Sequence, residues 1–112
     1  MLFRSKDAPS GTAIKTAQMM AETNGSFIQG NCTETETIEG ARGANSYNNI
    51  HIHSVRMPGF MASQEVLFGS SGQTLSIRHD STDRKCYMPG IIMAVNYISQ
   101  NKKFIYGLEN IL

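Results

Sequence analysis

The sequence is short of features that mark several classes of protein: it has no tryptophan, only two cysteines and no long hydrophobic run. Its apolar runs fall far below the roughly 20 residues that span a bilayer, and residues 1–5 lack the apolar segment of a signal peptide. Cys32 and Cys86 do not have the spacing of a metal-binding pair. These absences favour a cytoplasmic protein with reduced thiols and no membrane partner.

An excess of charge of one sign is also missing, because ten Lys and Arg residues against nine Asp and Glu give a net charge of +1. No basic stripe with interleaved aromatic residues is present, so the sequence gives no reason to expect nucleic acid as a partner. A chain of 112 residues can form one domain with a modest core, but it is too short for a two-domain dehydrogenase.

The most informative segment is a loop that leads into an amphipathic helix near the start of the chain. Pro9 fixes φ, Ser10 can accept from free backbone N–H groups, and Gly11 removes a Cβ where a ligand could approach. The start of a helix attracts anions, and the hydroxyls of Ser10 and Thr12 would suit a carboxylate or a phosphate. An ordinary helix cap is the commoner explanation of an isolated Ser-Gly-Thr, so spacing alone does not decide the function.

Apolar spacing predicts two main helices. The first covers residues 12–23 and ends at an Asn-Gly pair. The second is capped by Ser81 or Thr82 and runs to about Gln100, with Pro89 either kinking it or lying in its first turn. Its apolar stripe consists of Tyr87, Ile91, Ala94, Val95 and Ile98. Residues 104–112 resemble a short apolar tail that returns to the core.

Alternation predicts strands at residues 49–57, 63–70 and 73–79, joined as an antiparallel meander. Residues 25–49 are predicted mostly as a long loop, within which residues 33–39 could form a short exposed strand. The prediction is therefore an α+β fold: an open mixed or antiparallel sheet with the two helices on one face. His51 and His53 share a strand face, but the lack of a third ligand favours a polar surface over a metal site.

Ordered sequence blocks resemble one enzyme family. Asp-Ala-Pro-Ser-Gly-Thr-Ala at residues 7–13 is similar to the substrate-binding signature of 4-hydroxy-tetrahydrodipicolinate reductase, also called dihydrodipicolinate reductase. Further blocks follow in the family order: Gly-Ala-Arg-Gly at 40–43, Ile-His-Ser-Val-Arg at 52–56, Gln-Glu-Val-Leu-Phe-Gly at 64–69, Ile-Arg-His-Asp-Ser at 77–81 and Tyr-Gly-Leu-Glu at 106–109. The similarity extends from Asp7 to the end of the chain.

The resemblance implies that residues 1–112 are a single C-terminal domain that binds substrate and forms a homotetramer through its sheet. In this family, NADPH or NADH reduces 4-hydroxy-tetrahydrodipicolinate to tetrahydrodipicolinate in lysine and diaminopimelate biosynthesis. Ser10, Gly11 and Thr12 would hold one carboxylate of the cyclic dicarboxylate. Arg42 and Arg84 are candidates for a substrate contact, a subunit interface or a structural salt bridge.

The chain departs from the family pattern at the catalytic positions. Family members carry a nucleotide-binding domain with a Gly-rich phosphate turn before this region, then a His-His pair and a lysine, and none of these is present here. The lysine position is Ser5, and Lys6 lies one residue late. We therefore expect no catalytic residue, no metal and no turnover in this chain alone, with the cofactor bound by an N-terminal domain that the chain lacks.

Two explanations of this pattern are open at the level of sequence. The chain is either an incomplete product of a longer reductase gene or a free-standing domain. In the second case, a non-catalytic module that binds a dicarboxylate, or that only assembles, is the alternative function.

Overall fold

A computed structural model describes residues 6–23, 27, 28, 30 and 33–112. The chain divides into two compact units, Met1–Gly59 and Phe60–Leu112. The first unit contains helix α1 (Gly11–Thr23) and strands β1 (Ala44–Tyr47) and β2 (Ile50–Ile52). The second contains β3 (Ala62–Ser70), β4 (Gln73–Ser81), a 3₁₀ helix (Arg84–Tyr87), α2 (Met88–Gln100) and a 3₁₀ turn (Leu108–Asn110). The predicted α+β class, antiparallel pairing and two main helices are confirmed, whereas the assignment of residues 1–112 to a single domain stays a prediction.

Helix α1 forms where apolar spacing predicts it. Ala17, on the predicted inner face, is 3% exposed. Among the residues that the structure describes, it is the one hydrophobic residue that is buried. The helix packs on β1 and β2, and the side chain of Gln18 donates a hydrogen bond to the Tyr47 hydroxyl at 2.9 Å. The Asn-Gly pair predicted to end the helix, at residues 24 and 25, lies outside the described residues.

Strands β1 and β2 form an antiparallel hairpin that the sequence analysis did not predict. Tyr47 pairs with Ile50, which leaves Asn48 and Asn49 as a two-residue turn with φ of 46° and 63°. Turns with positive φ at both positions match the twist of paired strands, and Asn tolerates that conformation. The backbone of Phe27 bonds to this turn, through its N–H to Asn48 O at 3.3 Å and its carbonyl to Asn49 Nδ2 at 3.0 Å. The predicted loop is therefore wrong at residues 44–47, and residues 33–39 form no strand.

The predicted single sheet is also wrong, because the described residues form two separate two-stranded sheets, β1 with β2 and β3 with β4. The meander required residues 49–57 to pair with β3, but the strand there is limited to Ile50–Ile52 and pairs with β1. Residues 53–61 then connect β2 to β3, which is longer than a hairpin turn, and Pro58 within them has no N–H for a ladder. Helices α1 and α2 belong to different units, and their placement on one face of a common sheet stays a prediction.

The β3–β4 hairpin confirms the two predicted strands and extends the second to Ser81. Its register runs from Ala62 opposite Ser81 to Ser70 opposite Gln73. Alternation along the paired strands gives the hairpin two chemically different faces. The apolar face carries Val66, Phe68, Leu75 and Ile77, with Gln64 opposite His79 next to them. The polar face carries Glu65, Ser76, Arg78 and Asp80, together with Leu67.

Helix α2 begins at Met88 with Pro89 in its first turn, which is the second of the two predicted alternatives. Ahead of it, Asp83 caps the 3₁₀ helix, since its Oδ1 accepts a hydrogen bond from the Lys85 N–H at 2.8 Å. This cap replaces the one predicted at residues 81 and 82, because the chain enters the helical region through a 3₁₀ turn.

The apolar stripe predicted for α2 is present but is not buried. Its members Ile91, Val95 and Ile98 are 50%, 54% and 63% exposed. The chain after the helix returns as predicted, and its Ile105, Leu108 and Ile111 side chains line a groove with Ala94, Tyr97 and Ile98. The tail therefore covers one side of α2 and leaves most of the stripe exposed.

The Gly-Ala-Arg-Gly turn offers a matched pair of glycines for a stability test. Gly40 and Gly43 have φ of 80° and 75°, and a Cβ on Gly43 would lie 2.6 Å from the Ile52 carbonyl oxygen, whereas one on Gly40 would meet no atom within 4 Å. We expect Gly40→Ala to lower the free energy of unfolding by about 1 kcal/mol through backbone strain, and Gly43→Ala by roughly twice that or more. Urea unfolding of both variants measures the difference, and equal losses would contradict the close backbone approach at Gly43.

Candidate functional site

The start of α1 combines a side-chain cap with exposed backbone. The Ser10 Oγ accepts a hydrogen bond from the Ala13 N–H at 3.2 Å, and the Ser10 carbonyl accepts from the Ile14 N–H at 3.1 Å. Ser10 is therefore the residue that caps the helix. Because its oxygen acts as an acceptor in this bond, the hydroxyl proton can still be donated to a ligand.

Gly11 and Thr12 supply the first two N–H groups of the helix, which precede its first intrahelical hydrogen bond and so have no partner within it. Both residues are exposed, and a Cβ on Gly11 would meet no atom within 4 Å. Packing among the described residues therefore does not require glycine here, and none of them fills the space in front of it. We call Ser10, Gly11 and Thr12 the carboxylate cradle, since N–H and O–H donors at a helix start suit one carboxylate. That these three residues bind the substrate stays a prediction.

The loop before the cradle is held by a residue from a distant part of the chain. Arg56 donates from Nη2 to the Asp7 carbonyl at 2.6 Å and from Nη1 to the Val55 carbonyl at 3.0 Å. The loop contains a cis peptide bond between Ala8 and Pro9. This role of Arg56 was not predicted from the sequence, although its position in the matched Ile-His-Ser-Val-Arg block was the signal that could have identified it.

The lysine position of the family lies at the edge of this loop. Ser5, which occupies that position, is outside the described residues. Lys6 is exposed and directly precedes Asp7. A catalytic role is assigned to neither residue, and the absence of a catalytic residue in this chain stays a prediction.

Arg42 lies in a closely bonded turn. The Glu36 carboxylate accepts from the N–H groups of Gly40 at 3.1 Å and Arg42 at 2.9 Å. The Arg42 guanidinium lies 3.2 Å from the Glu34 carboxylate, and His51 donates from Nδ1 to the Arg42 carbonyl at 2.8 Å, because a carbonyl can only accept. This salt bridge matches the structural alternative, and a substrate or interface contact for Arg42 stays a prediction.

Arg84 belongs to a different part of the structure from the cradle. It is exposed and begins the 3₁₀ helix of the second unit, whereas the cradle lies in the first unit. It also takes part in an interaction within the chain. The structure therefore brings together Ser10, Gly11 and Thr12, and the role of Arg84 at the substrate or at an interface stays a prediction.

The described residues were also compared with the requirements of a metal site, a membrane span and a dinucleotide site. Among them, no group of three or more His, Cys, Asp or Glu side chains is placed to hold a metal ion. No helix in this part of the chain is long and apolar enough to cross a membrane. Cys86 is a free, exposed thiol, and Cys32 lies outside the described residues. The connection from β4 to the helices, residues 82 and 83, contains no glycine, so it does not fit the phosphate turn of a dinucleotide site.

Comparison with known proteins agrees with the sequence blocks. The family model described as dihydrodipicolinate reductase, C-terminus, matches residues 3–112. The chain belongs to this family. A protein named 4-hydroxy-tetrahydrodipicolinate reductase from Gloeothece citriformis (strain PCC 7424) is 58% identical over 106 residues, which is 95% of this chain and 38% of the relative. The enzyme of the same name from Geobacillus thermodenitrificans (strain NG80-2) is also 58% identical, over 95% of this chain and 40% of its own.

A solved structure of the family shows the same fold. It is the dihydrodipicolinate reductase of Paenisporosarcina sp. TG-14 with dipicolinate bound, and it matches with a TM-score of 0.83 and 55% identity. The match covers 96% of this chain and 40% of that protein. The chain thus spans about two fifths of the length of the reductases it matches. The predicted membership of this family is confirmed.

The turn at Glu36 predicts a pH-dependent contribution to stability. Hydrogen bonds from the backbone N–H groups of Arg42 and Gly40 hold the pKa of Glu36 below its ordinary value. A carboxylate with a lowered folded-state pKa stabilises the fold above the ordinary glutamate pKa, and that contribution is lost as the pH falls through the lowered pKa. We therefore expect Glu36→Gln to destabilise the chain at neutral pH and to have a smaller effect in acid.

Urea unfolding of the parent and of Glu36→Gln between neutral and acidic pH measures this dependence. Glu39→Gln is the control, since it removes one negative charge from the same turn. A difference between parent and Glu36→Gln that stays constant down to the lowest pH at which the chain folds would contradict the role of the carboxylate.

Proposed function

We propose that this chain is the substrate-binding and assembly part of a 4-hydroxy-tetrahydrodipicolinate reductase, an NADPH- or NADH-dependent oxidoreductase that forms tetrahydrodipicolinate. The observation that carries the proposal is the carboxylate cradle at the start of α1, in a chain 55% identical to a reductase solved with dipicolinate bound. A place in lysine and diaminopimelate biosynthesis and a cytoplasmic location are expectations that accompany this assignment.

The cradle would act by orienting the substrate. The N–H groups of Gly11 and Thr12 are fixed by the helix before a ligand arrives, so binding a carboxylate requires little rearrangement of the protein. The Ser10 and Thr12 hydroxyls add donors on either side of Gly11. Holding one carboxylate in this way would fix the orientation of the ring and remove an entropic part of the barrier to its reduction.

The cofactor would be held by other residues. A dinucleotide needs a Gly-rich turn between a strand and a helix, and the described residues from β4 to α2 do not supply one. We expect NADPH or NADH to be bound outside the described residues, so the role of this chain is restricted to binding and orienting the dicarboxylate.

A binding experiment tests the cradle directly. Thr12→Ala removes one hydroxyl donor and should weaken binding of pyridine-2,6-dicarboxylate about tenfold, because the ligand carboxylate loses a hydrogen bond to a charged group. The matched control is Thr23→Ala at the other end of α1, where the threonine hydroxyl donates to the Met19 carbonyl at 2.9 Å. Isothermal titration calorimetry of the 112-residue chain and both variants gives the dissociation constants.

Each outcome of this titration has a distinct meaning. Saturable heat that is weakened by Thr12→Ala and not by Thr23→Ala supports the cradle. Saturable heat with no selective effect of Thr12→Ala would place the dicarboxylate elsewhere. No saturable heat with the parent chain would favour the alternative of a module that only assembles.

We also propose that the chain assembles as a homotetramer through the apolar face of the β3–β4 hairpin. On this face, Leu75 and Ile77 are each 57% exposed. The polar face is internally bonded instead, with the Ser76 hydroxyl donating to Glu65 at 2.5 Å and Arg78 donating from Nε to Asp80 at 2.7 Å. The Arg78 side chain also lowers the pKa of Asp80. Val66 and Phe68 on the same face are half-buried, so the exposed apolar area lies mainly on β4. A solvated polar face opposite a partly exposed apolar face is the arrangement expected of an interface sheet.

A charge placed on each face in turn tests this assembly. Ile77→Lys on the apolar face should reduce the mass in solution from that of four chains to that of fewer, because a lysine cannot be desolvated there without a partner. Leu67→Lys is the control, since Leu67 is 69% exposed on the polar face. Size-exclusion chromatography with light scattering measures the masses, and equal effects of the two variants would contradict an interface on the apolar face.

A further inference from the structure

We propose that Arg56 is a positioning residue for the carboxylate cradle. Its guanidinium fixes the loop of residues 6–10 through the Asp7 carbonyl, and so sets the direction in which the N–H groups of Gly11 and Thr12 point. The positioning of the loop is a property of this chain alone. Its consequence for dicarboxylate affinity rests on the proposed function.

The contact between Arg56 and Asp7 joins this loop to a distant part of the chain. The Nη2 to carbonyl distance is 2.6 Å, and the two residues lie 49 positions apart in the chain. Hydrogen bonds from a charged donor are shorter and stronger than neutral ones. The second branch of the fork, Nη1, donates to the Val55 carbonyl at 3.0 Å, so the guanidinium connects the loop to the chain that leaves β2.

Burial of Arg56 has an energetic cost that these two bonds must offset. The residue is half-buried, and its Nε atom is excluded from solvent without a hydrogen-bond partner in the described part of the chain. Leaving a buried donor unpaired costs free energy. The arrangement therefore persists because the bonds to the Asp7 and Val55 carbonyls hold the guanidinium in this place.

The position of Asp7 in the loop explains how the effect reaches the cradle. Asp7 lies three residues before Ser10, and Pro9 between them has a ring that fixes φ. Few free torsions thus separate the anchored carbonyl from the capping hydroxyl. An anchored Asp7 keeps Ser10 in place to accept from the Ala13 N–H at 3.2 Å, and this cap fixes the first turn of the helix.

The same unit supplies a control contact that holds α1 without touching the loop. Gln18, in the middle of the helix, donates to the Tyr47 hydroxyl of β1 at 2.9 Å. Tyr47→Phe removes this bond and should lower the stability of the unit. It leaves the connection between Arg56 and Asp7 intact, so it separates a general loss of stability from a loss of loop positioning.

The experiment compares Arg56→Met, Arg56→Lys and Tyr47→Phe in the complete chain. Two quantities are measured: the dissociation constant for pyridine-2,6-dicarboxylate, and the hydrogen-exchange rate of the Ala13 amide. We expect Arg56→Met to weaken binding about tenfold and to speed Ala13 exchange by a similar factor, because a charge-assisted bond is lost. Arg56→Lys keeps the charge and one donor, so it should recover most of the affinity and remain roughly threefold weaker than the parent. Tyr47→Phe should lower the melting temperature with little change in either quantity.

The outcomes separate this inference from the proposed function. Unchanged affinity and unchanged Ala13 exchange in Arg56→Met would overturn the positioning role. If the parent chain binds no dicarboxylate, the proposed function fails, and Ala13 exchange still decides whether Arg56 positions the loop. If Arg56→Met does not fold, Arg56→Lys decides: faster Ala13 exchange than in the parent supports the inference, and equal exchange overturns it.

Discussion

The exposed apolar surface of the second unit is the constraint on which its architecture depends. Leu75 and Ile77 on the hairpin and Val95 and Ile98 on α2 are all more than half exposed, although both elements have the periodicity of elements that cover a core. Burying apolar surface stabilises a fold by roughly 25 cal/mol for each Å² removed from water. The area that these side chains leave in water contributes none of this stabilisation. A second surface that covers these side chains would supply the missing stabilisation.

The first unit is organised by polar contacts between distant segments. Gln18 with Tyr47 holds α1 on the hairpin, His51 with the Arg42 carbonyl holds the Gly-Ala-Arg-Gly turn, and Arg56 with the Asp7 carbonyl holds the loop before the cradle. Each of these bonds joins residues that lie far apart in the sequence. These contacts hold the start of α1 in place although Gly11 and Thr12 are exposed. Fixed donors bind a carboxylate with less loss of entropy than mobile ones.

The predictions from sequence succeeded where a single element contains its own signal. The amphipathic face of α1, the alternation of β3 and β4 and the proline at the start of α2 are all local patterns, and each element lies where it was predicted. The β1–β2 hairpin was missed because its turn is Asn48-Asn49, a weaker signal than Asn-Gly, and because Ala44–Tyr47 is polar. The apolar stripe of α2 was predicted correctly, but its exposure was not part of that prediction, because periodicity identifies which side chains share a face and not whether anything covers that face.

The sequence by itself determined the helix that carries the cradle, its Ser10 cap and the family to which the chain belongs. These features follow from residues within about one helical turn of each other, or from ordered blocks of identity, so no tertiary information is needed. Only the tertiary structure decided that β2 pairs with β1, that Arg42 pairs with Glu34, and that Arg56 reaches the Asp7 carbonyl. Those contacts depend on how the intervening chain turns in space. The backbone φ angles of residues such as Asn48 and Gly43 set the path of the intervening chain. The spacing in sequence of the residues that meet does not predict this path.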